Sequence, residues 1–340
     1  MSLGLSGQQT LQIARAVELL RAGELVAFPT ETVYGLGADA SNPAAVARIF
    51  AAKGRPADHP LIVHLASAAA LDHWAREVPQ SARRLAAAFW PGPLTLILKR
   101  QAHVPDAVTG GQDTVGLRVP NHPLALALLR EFKGGVAAPS ANRYGRISPT
   151  SAAHVRAELG DSVPLVLDGG PCEVGIESTI VDLSSEAPRM LRPGAITAAD
   201  IARVLDDTPP AEIDKSANDA GSIAPRVAGS HVAHYAPRTT LRLVTGDELS
   251  GAVSAALATG QRLAVLAHTA QPIVARNLIW HAANRDAAAY AHDLYATLRA
   301  LDAAACDLLL VEAPPATAAW LAVADRLQRA ASGSGEDDET

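Results

Sequence analysis

Lys53 and Arg55, in Lys53-Gly54-Arg55-Pro56, place two cations one residue apart and form the densest candidate for chemistry in this 340-residue chain. They close a helical pattern and precede the apolar run Pro60 to Leu65, on a loop restrained by Gly and Pro. Cations so placed can face one shared anion, and the planar guanidinium fork suits phosphate or carboxylate. The same residues would also serve a solvated helix C-terminus, where the dipole favours positive charge. On either reading the loop is expected to face solvent. Pro29 to Gly37 (PTETVYGLG) follows the first strand pattern, the place where α/β sheets form ligand crevices. It lacks the third glycine of GxGxxG, and the chain has no GxxxxGK[ST], so a nucleotide here must be held otherwise. Two glycines alone could simply make a tight turn.

Three further segments place small hydroxyl or amide side chains at strand ends, near an arginine. They are Ala138 to Asn142 running on to Ser148-Pro149-Thr150, then Gly175 to Thr179, then Leu191 to Gly194. Hydroxyls and backbone N–H groups at such ends bind phosphate or ribose with little charge, although each segment taken singly also fits a turn or cap. Arg118 interrupts the apolar run Val115 to Val119, which is costly unless it meets an anion or carboxylate. His64 lies on an apolar strand pattern and fits a hydrogen-bonded core histidine. His231 and His234 form an HxxH with no third ligand in view, and Cys172 and Cys306 are isolated, so neither a metal site nor a disulfide framework is suggested.

The elements that must position these residues follow from pattern. The composition is 49% hydrophobic but only 4% aromatic, which suits helices packed on a buried sheet built from Ala, Val, Leu and Ile. Strands are expected at Glu24 to Phe28, Leu61 to Leu65, Leu94 to Leu98, Val115 to Val119, Gly135 to Ala138, Leu165 to Leu167 and Ser178 to Leu183. Helices are expected at 11–20, 43–52, 80–89, 123–131 and 150–158. The fold class is therefore α/β, a twisted mixed sheet with flanking helices over residues 1–205. Residues 206–239 are rich in Pro, Ser, Gly, Asp and Ala and read as a linker. A smaller doubly wound, Rossmann-like α/β domain is expected at 240–331, with an acidic disordered tail at 332–340. Net charge is -6, split as +1 over residues 1–205 and -7 over 206–340, so the first region is the better host for anions and the second a poor nucleic-acid surface. No apolar run reaches the ~18–20 residues of a membrane span and no signal peptide is visible, so a cytoplasmic protein is expected.

Read in order, PTETVYGLG, KGRPADHPLIVH, FWPGPLTLIL, DTVGLRVPNHP, APSANRYGRISPT, GIESTIVDL and LRPG resemble the YrdC-like domain of threonylcarbamoyl-AMP synthases. HYAP at His234 to Pro237, followed by a small α/β domain, resembles the long two-domain form of that family. The resemblance implies that L-threonine, bicarbonate and ATP yield threonylcarbamoyl-adenylate and pyrophosphate, for modification of adenosine beside the tRNA anticodon. It implies ATP as substrate, magnesium to supply further positive charge, and a downstream tRNA threonylcarbamoyl transferase complex as partner. Double-stranded RNA, as tRNA itself, is a further candidate partner; a membrane is not.

By the same resemblance Thr32, His64, Arg118, the backbone at Ala138, and Ser178 would hold threonine. Arg55, His59, Thr114, Ser140, Asn142, Ser148, Arg192 and Tyr235 would hold ATP, with Lys53 and Arg55 acting on the phosphates. Two positions depart from the family: His59 stands where Asn is common, and Ala233 where Ser is common. The linker, carrying His231, His234, Tyr235 and Pro237, is expected to act as a lid, the alternative being that Tyr235 anchors to the C-terminal domain. Two other readings of the chain are an RNA-binding module and a carbamoyl-transfer protein of hydrogenase maturation. The near-neutral charge of residues 1–205 argues against the first, and two cysteines leave no room for the zinc-binding repeats of the second.

Overall fold

The computed structural model describes residues 5–206, 209–212, 225–227, 229, 233–269 and 271–335. They form two compact units, Met1–Tyr144 with Pro149–Ser230, and Gly145–Ser148 with His231–Thr340. No described helix is long and apolar enough to cross a membrane.

The first unit runs α1 (Gly7–Arg21), β1 (Val26–Phe28), β2 (Gly35–Asp39), α2 (Pro43–Lys53), β3 (Ile62–His64), α3 (Leu71–Trp74), α4 (Gln80–Phe89), β4 (Leu94–Lys99), α5 (Asp106–Thr109), β5 (Thr114–Arg118), α6 (Pro123–Phe132), β6 (Val136–Ala137), α7 (Ala152–Leu159), β7 (Leu165–Val166), β8 (Thr179–Asp182), β9 (Arg189–Arg192), α8 (Ala198–Val204) and β10 (Ala211–Glu212). These strands make one mixed sheet in the order β10-β9-β8-β4-β5-β3-β6-β2-β1-β7. Alternation along each strand divides its residues between two faces. Val63, Leu96, Leu98, Val115, Leu117 and Val181 enter the main hydrophobic core with the helices. Their neighbours in sequence face the other way, and the candidate site lies among them.

Helix α2 shows how local chemistry places a functional residue. Asn42 caps its start, accepting from the N–H groups of Ala44 and Ala45, and Pro43 occupies the first turn, where a missing N–H costs nothing. Ala45, Val46, Ile49 and Phe50 bury one face, and Gly54 ends the helix in the left-handed region at φ 61°. Lys53 is thereby left as the last helical residue.

Pattern reading treated Gly35 to Gly37 as a turn, but it begins a buried strand, β2. The glycines permit close packing: a Cβ on Gly37 would lie 2.8 Å from both the Phe28 ring and Val136. Strand β9 and helix α8 were also not anticipated. Within the expected linker, β10 pairs in parallel with β9, and Pro225 to Val227 belongs to the first unit. His231 and the tail beyond Gly335 lie outside the described residues.

The second unit carries β11 (Leu241–Val244), α9 (Gly246–Ala258), β12 (Leu263–Ala267), β13 (Leu278–Ala282), α10 (Ala287–Ala303), β14 (Leu308–Glu312) and α11 (Leu321–Ser332). Its four strands are all parallel, in the order β11-β14-β12-β13. This is the small α/β sheet domain expected at 240–331.

Candidate active site

Strand register gathers residues that are distant in sequence. His64 on β3 lies opposite Arg118 on β5, and Ile62 lies opposite Gly116. Gly116 is also opposite Ile97 on β4, Thr95 is opposite Ile180 on β8, and Ile180 is opposite Arg192 on β9. Since side chains alternate, Thr114, Gly116, Arg118, Ile62, His64, Thr95, Ile97, Ile180 and Arg192 share one face. The floor of that face is apolar, Ile62, Ile97 and Ile180, joined by Leu191 where the β8–β9 register shifts between Ile180 and Val181, and Val227 from the expected linker packs on it. Arg226, next to Val227, holds Asp58 at 3.1 Å and donates to the carbonyl of Gly110.

The polar groups on this face are buried and interlocked. The hydroxyls of Ser178 and Thr95 are 2.8 Å apart. Arg192 donates from Nε to the Ser178 carbonyl at 3.0 Å and from Nη2 to its hydroxyl at 3.1 Å. Arg118, 4% exposed, meets Glu31 across 2.8 Å and donates from Nε to the Gly92 carbonyl at 3.3 Å. His64 is neutral at working pH, because burial first and the neighbouring Arg118 second push its pKa down to about 3. Thr32, fully buried, shares a 2.9 Å hydroxyl contact with Thr30, which in turn donates to the carbonyl of Val33.

A second group assembles around Lys53. Its ammonium donates to the carbonyls of Ser140 at 2.6 Å and Asn142 at 2.5 Å, while its own carbonyl accepts from Tyr144. The loop faces solvent as expected, with Gly54 and Pro56 to Asp58 exposed and Arg55 half-buried, but Lys53 itself, the last residue of α2, is 3% exposed. This follows from helix α2 ending beside the segment after β6, whose carbonyls replace water as acceptors. Burial and the charge of Arg55 hold the lysine well below its usual range. Arg55 reaches the Pro60 carbonyl at 3.0 Å. His59 is nearly buried, 3.9 Å from Asp58, with its ring 5.5 Å from that of Tyr144. Asn142 is buried and donates to the Arg143 carbonyl. Ala138 donates its N–H to Ile62, and Ser140 bridges Gly35.

Two expected nucleotide residues belong to the second unit and are described there. Ser148 is buried beside Arg299, which also donates to Ile147. Tyr235 is 1% exposed and has a positive φ of 62°, uncommon for a non-glycine residue. Its ring stacks on Tyr295 at 5.7 Å and lies 5.3 Å from the guanidinium of Arg326, so in this structure it packs as an anchor. Sequence reasoning quoted Glu31 and Thr95 within its segments without giving either a role. The only signal was a carboxylate and a hydroxyl inside otherwise apolar or turn-forming runs.

The site's chemistry is that of anion recognition: arginine and lysine donors, hydroxyls and a neutral imidazole around an apolar floor. Among the described residues no group of three or more His, Cys, Asp or Glu could hold a metal ion. The family described as telomere recombination (Sua5, YciO and YrdC) matches residues 18–194, and the threonylcarbamoyl-AMP synthase C-terminal domain matches 196–332. A threonylcarbamoyl-AMP synthase of Bacillus subtilis is 42% identical over 330 residues, covering 95% of this chain and 93% of its own. One from Pyrococcus abyssi is 39% identical, covering 94% of each. The crystal structure of P. abyssi Sua5 complexed with L-threonine superposes with a TM-score of 0.86 at 36% identity, covering 94% of both chains.

Proposed function

We infer, from a chain that belongs to the threonylcarbamoyl-AMP synthase family, that it is an enzyme making threonylcarbamoyl-AMP and pyrophosphate from threonine and ATP for tRNA modification. The observation that carries this reading is the single sheet face on which His64, Arg118 and Arg192 lie in register, with Arg192 bound to Ser178. We assign threonine to Thr32, His64, Arg118, the backbone at Ala138, and Ser178. ATP is assigned to Arg55, His59, Thr114, Ser140, Asn142 and Arg192.

Threonine's free amine adds to carbon dioxide and gives up a proton, or condenses with bicarbonate and releases water, and the resulting N-carboxylate is already an anionic nucleophile. Its oxygen attacks the α-phosphorus of ATP; the bond to the β-phosphate oxygen breaks and pyrophosphate leaves. No residue need remove a proton at that step. Alignment and charge neutralisation are what the protein supplies, since a carboxylate must approach a polyphosphate. Arg118 steadies the amino acid, Arg55 and Arg192 meet the phosphates, and Lys53 fixes the Ser140–Asn142 loop while adding positive field. Magnesium would arrive with the phosphates, as that ion commonly does. The adenylate then passes to a tRNA threonylcarbamoyl transferase complex. The test is pyrophosphate release from ATP with threonine or bicarbonate omitted in turn. Release that needs both is expected; equal release without threonine would refute the reaction.

A further inference from the structure

Glu31 is 3% exposed and is the acid that faces Arg118. Its Oε2 accepts the backbone N–H of Asn121 at 2.9 Å, and its own carbonyl accepts from Val174 at 2.7 Å. One residue thus ties the turn after β1 to the end of β5 and to the segment before β8. Toward Arg118 the geometry differs. Glu31 Oε1 and Arg118 Nη2 are 2.8 Å apart, yet among the described residues neither makes an aligned hydrogen bond. The contact is an ion pair that falls short of hydrogen-bond alignment among the described residues. Held by Gly92 at Nε and drawn by Glu31 at Nη2, the guanidinium keeps one plane while retaining donors for another acceptor.

We propose that Glu31 is a positioning residue for threonine: it orients Arg118 and cancels its charge, so that the guanidinium receives the amino acid's α-carboxylate. The charge balance fits. An uncompensated buried arginine would be costly in the empty site, and Glu31 removes that cost. His64, held neutral, adds no charge. A zwitterionic amino acid then enters without changing the net charge of the pocket. This rests on the assignment of Arg118 to threonine.

The test uses the full chain with Glu31→Gln, Glu31→Asp and Arg118→Lys, following pyrophosphate release with threonine and then ATP varied. Threonine's effect on Tm gives a binding readout independent of turnover. Glu31→Gln keeps the shape but loses the ion pair that orients Arg118, so threonine KM should rise ~10- to 100-fold while ATP KM holds. Glu31→Asp, which keeps the charge on a shorter stem, should recover part of that loss and serves alone should the glutamine variant not fold. The proposal is overturned if both soluble Glu31 variants keep the wild-type threonine KM and merely lose kcat in proportion to folded enzyme, as a structural role would require. Unchanged threonine KM in Arg118→Lys would instead refute the assignment of Arg118.

Discussion

Arg118 and Arg326 are both buried arginines, in the first and second units respectively, and they are used differently. Arg326 is 0% exposed, bonds Asp325 at 2.8 Å and lies near the face of Tyr235. Asp325 is also held by Arg329 one helical turn on. That cluster binds a helix, α11, to an aromatic pair and is a packing device. Arg118 stands instead on a strand, opposite a histidine, facing an acid with which it makes no aligned bond. Burial of a charge therefore does not by itself mark a ligand site.

The largest effect that would sharpen this contrast is on rate. Arg192→Ala should lose ~10² to 10³ in turnover by removing a donor proposed to meet developing charge. Arg326→Met should keep near-normal turnover per folded molecule while losing ~3 to 5 kcal/mol of stability, since it leaves Asp325 buried without one partner. Steady-state kinetics and denaturant melts on the two variants check both halves. Equal losses of turnover would erase the distinction.

Tyr235 is the position where the two uses compete. As an anchor, Tyr235→Ala should cost ~3 kcal/mol through the lost contact with Tyr295 and Arg326. As a lid residue it must leave those neighbours. Limited proteolysis between Asp206 and Pro237, with and without ATP plus threonine, separates the roles. Ligand protection that vanishes in Tyr235→Ala supports the lid, and one cleavage rate under all conditions supports the anchor.

The smallest effect concerns His64. Its folded pKa of about 3 lies below the usual histidine value of 6.5, so between those values the unfolded chain binds a proton that the folded chain does not. This contribution is intact above pH 6.5 and is lost as pH falls toward 3, amounting to on the order of 2 kcal/mol by pH 5. His64→Gln should flatten that part of the stability–pH profile, measured as the difference from wild type. A profile unchanged by the substitution would mean that His64 titrates normally.

Much of the scaffold was legible because periodicity reports burial. The runs at 61–65, 94–98 and 115–119 alternate or are continuously apolar, and they became β3, β4 and β5. Strand β2 was hidden because its glycines, which carry a turn signal, are required by contact with Phe28 and Val136. Strand β13, LIWHA at the sheet edge, lies in a half-exposed setting where pattern is weak. The low-complexity stretch read as a linker concealed Val227, because one valine carries no periodicity and its burial on Ile62, Ile97 and Ile180 is set by the sheet.

By itself the sequence determined the α/β class, through periodicity, and the family, through its ordered motifs; the residues assigned to the substrates are what that resemblance implies, and the cations, hydroxyls and glycines at strand ends are the local chemistry that fits them. Only the tertiary structure decided which of them meet. Glu31 and Asn121 are 90 residues apart, and nothing in either neighbourhood foretells that one carboxylate joins Asn121 to Arg118. Lys53 was read as a solvent-facing cation because its sequence is that of a helix end; its burial comes from the carbonyls of Ser140 and Asn142, supplied by another part of the chain. Such partnerships depend on strand register and loop closure, which are set by packing over the whole sheet rather than by the residues that take part.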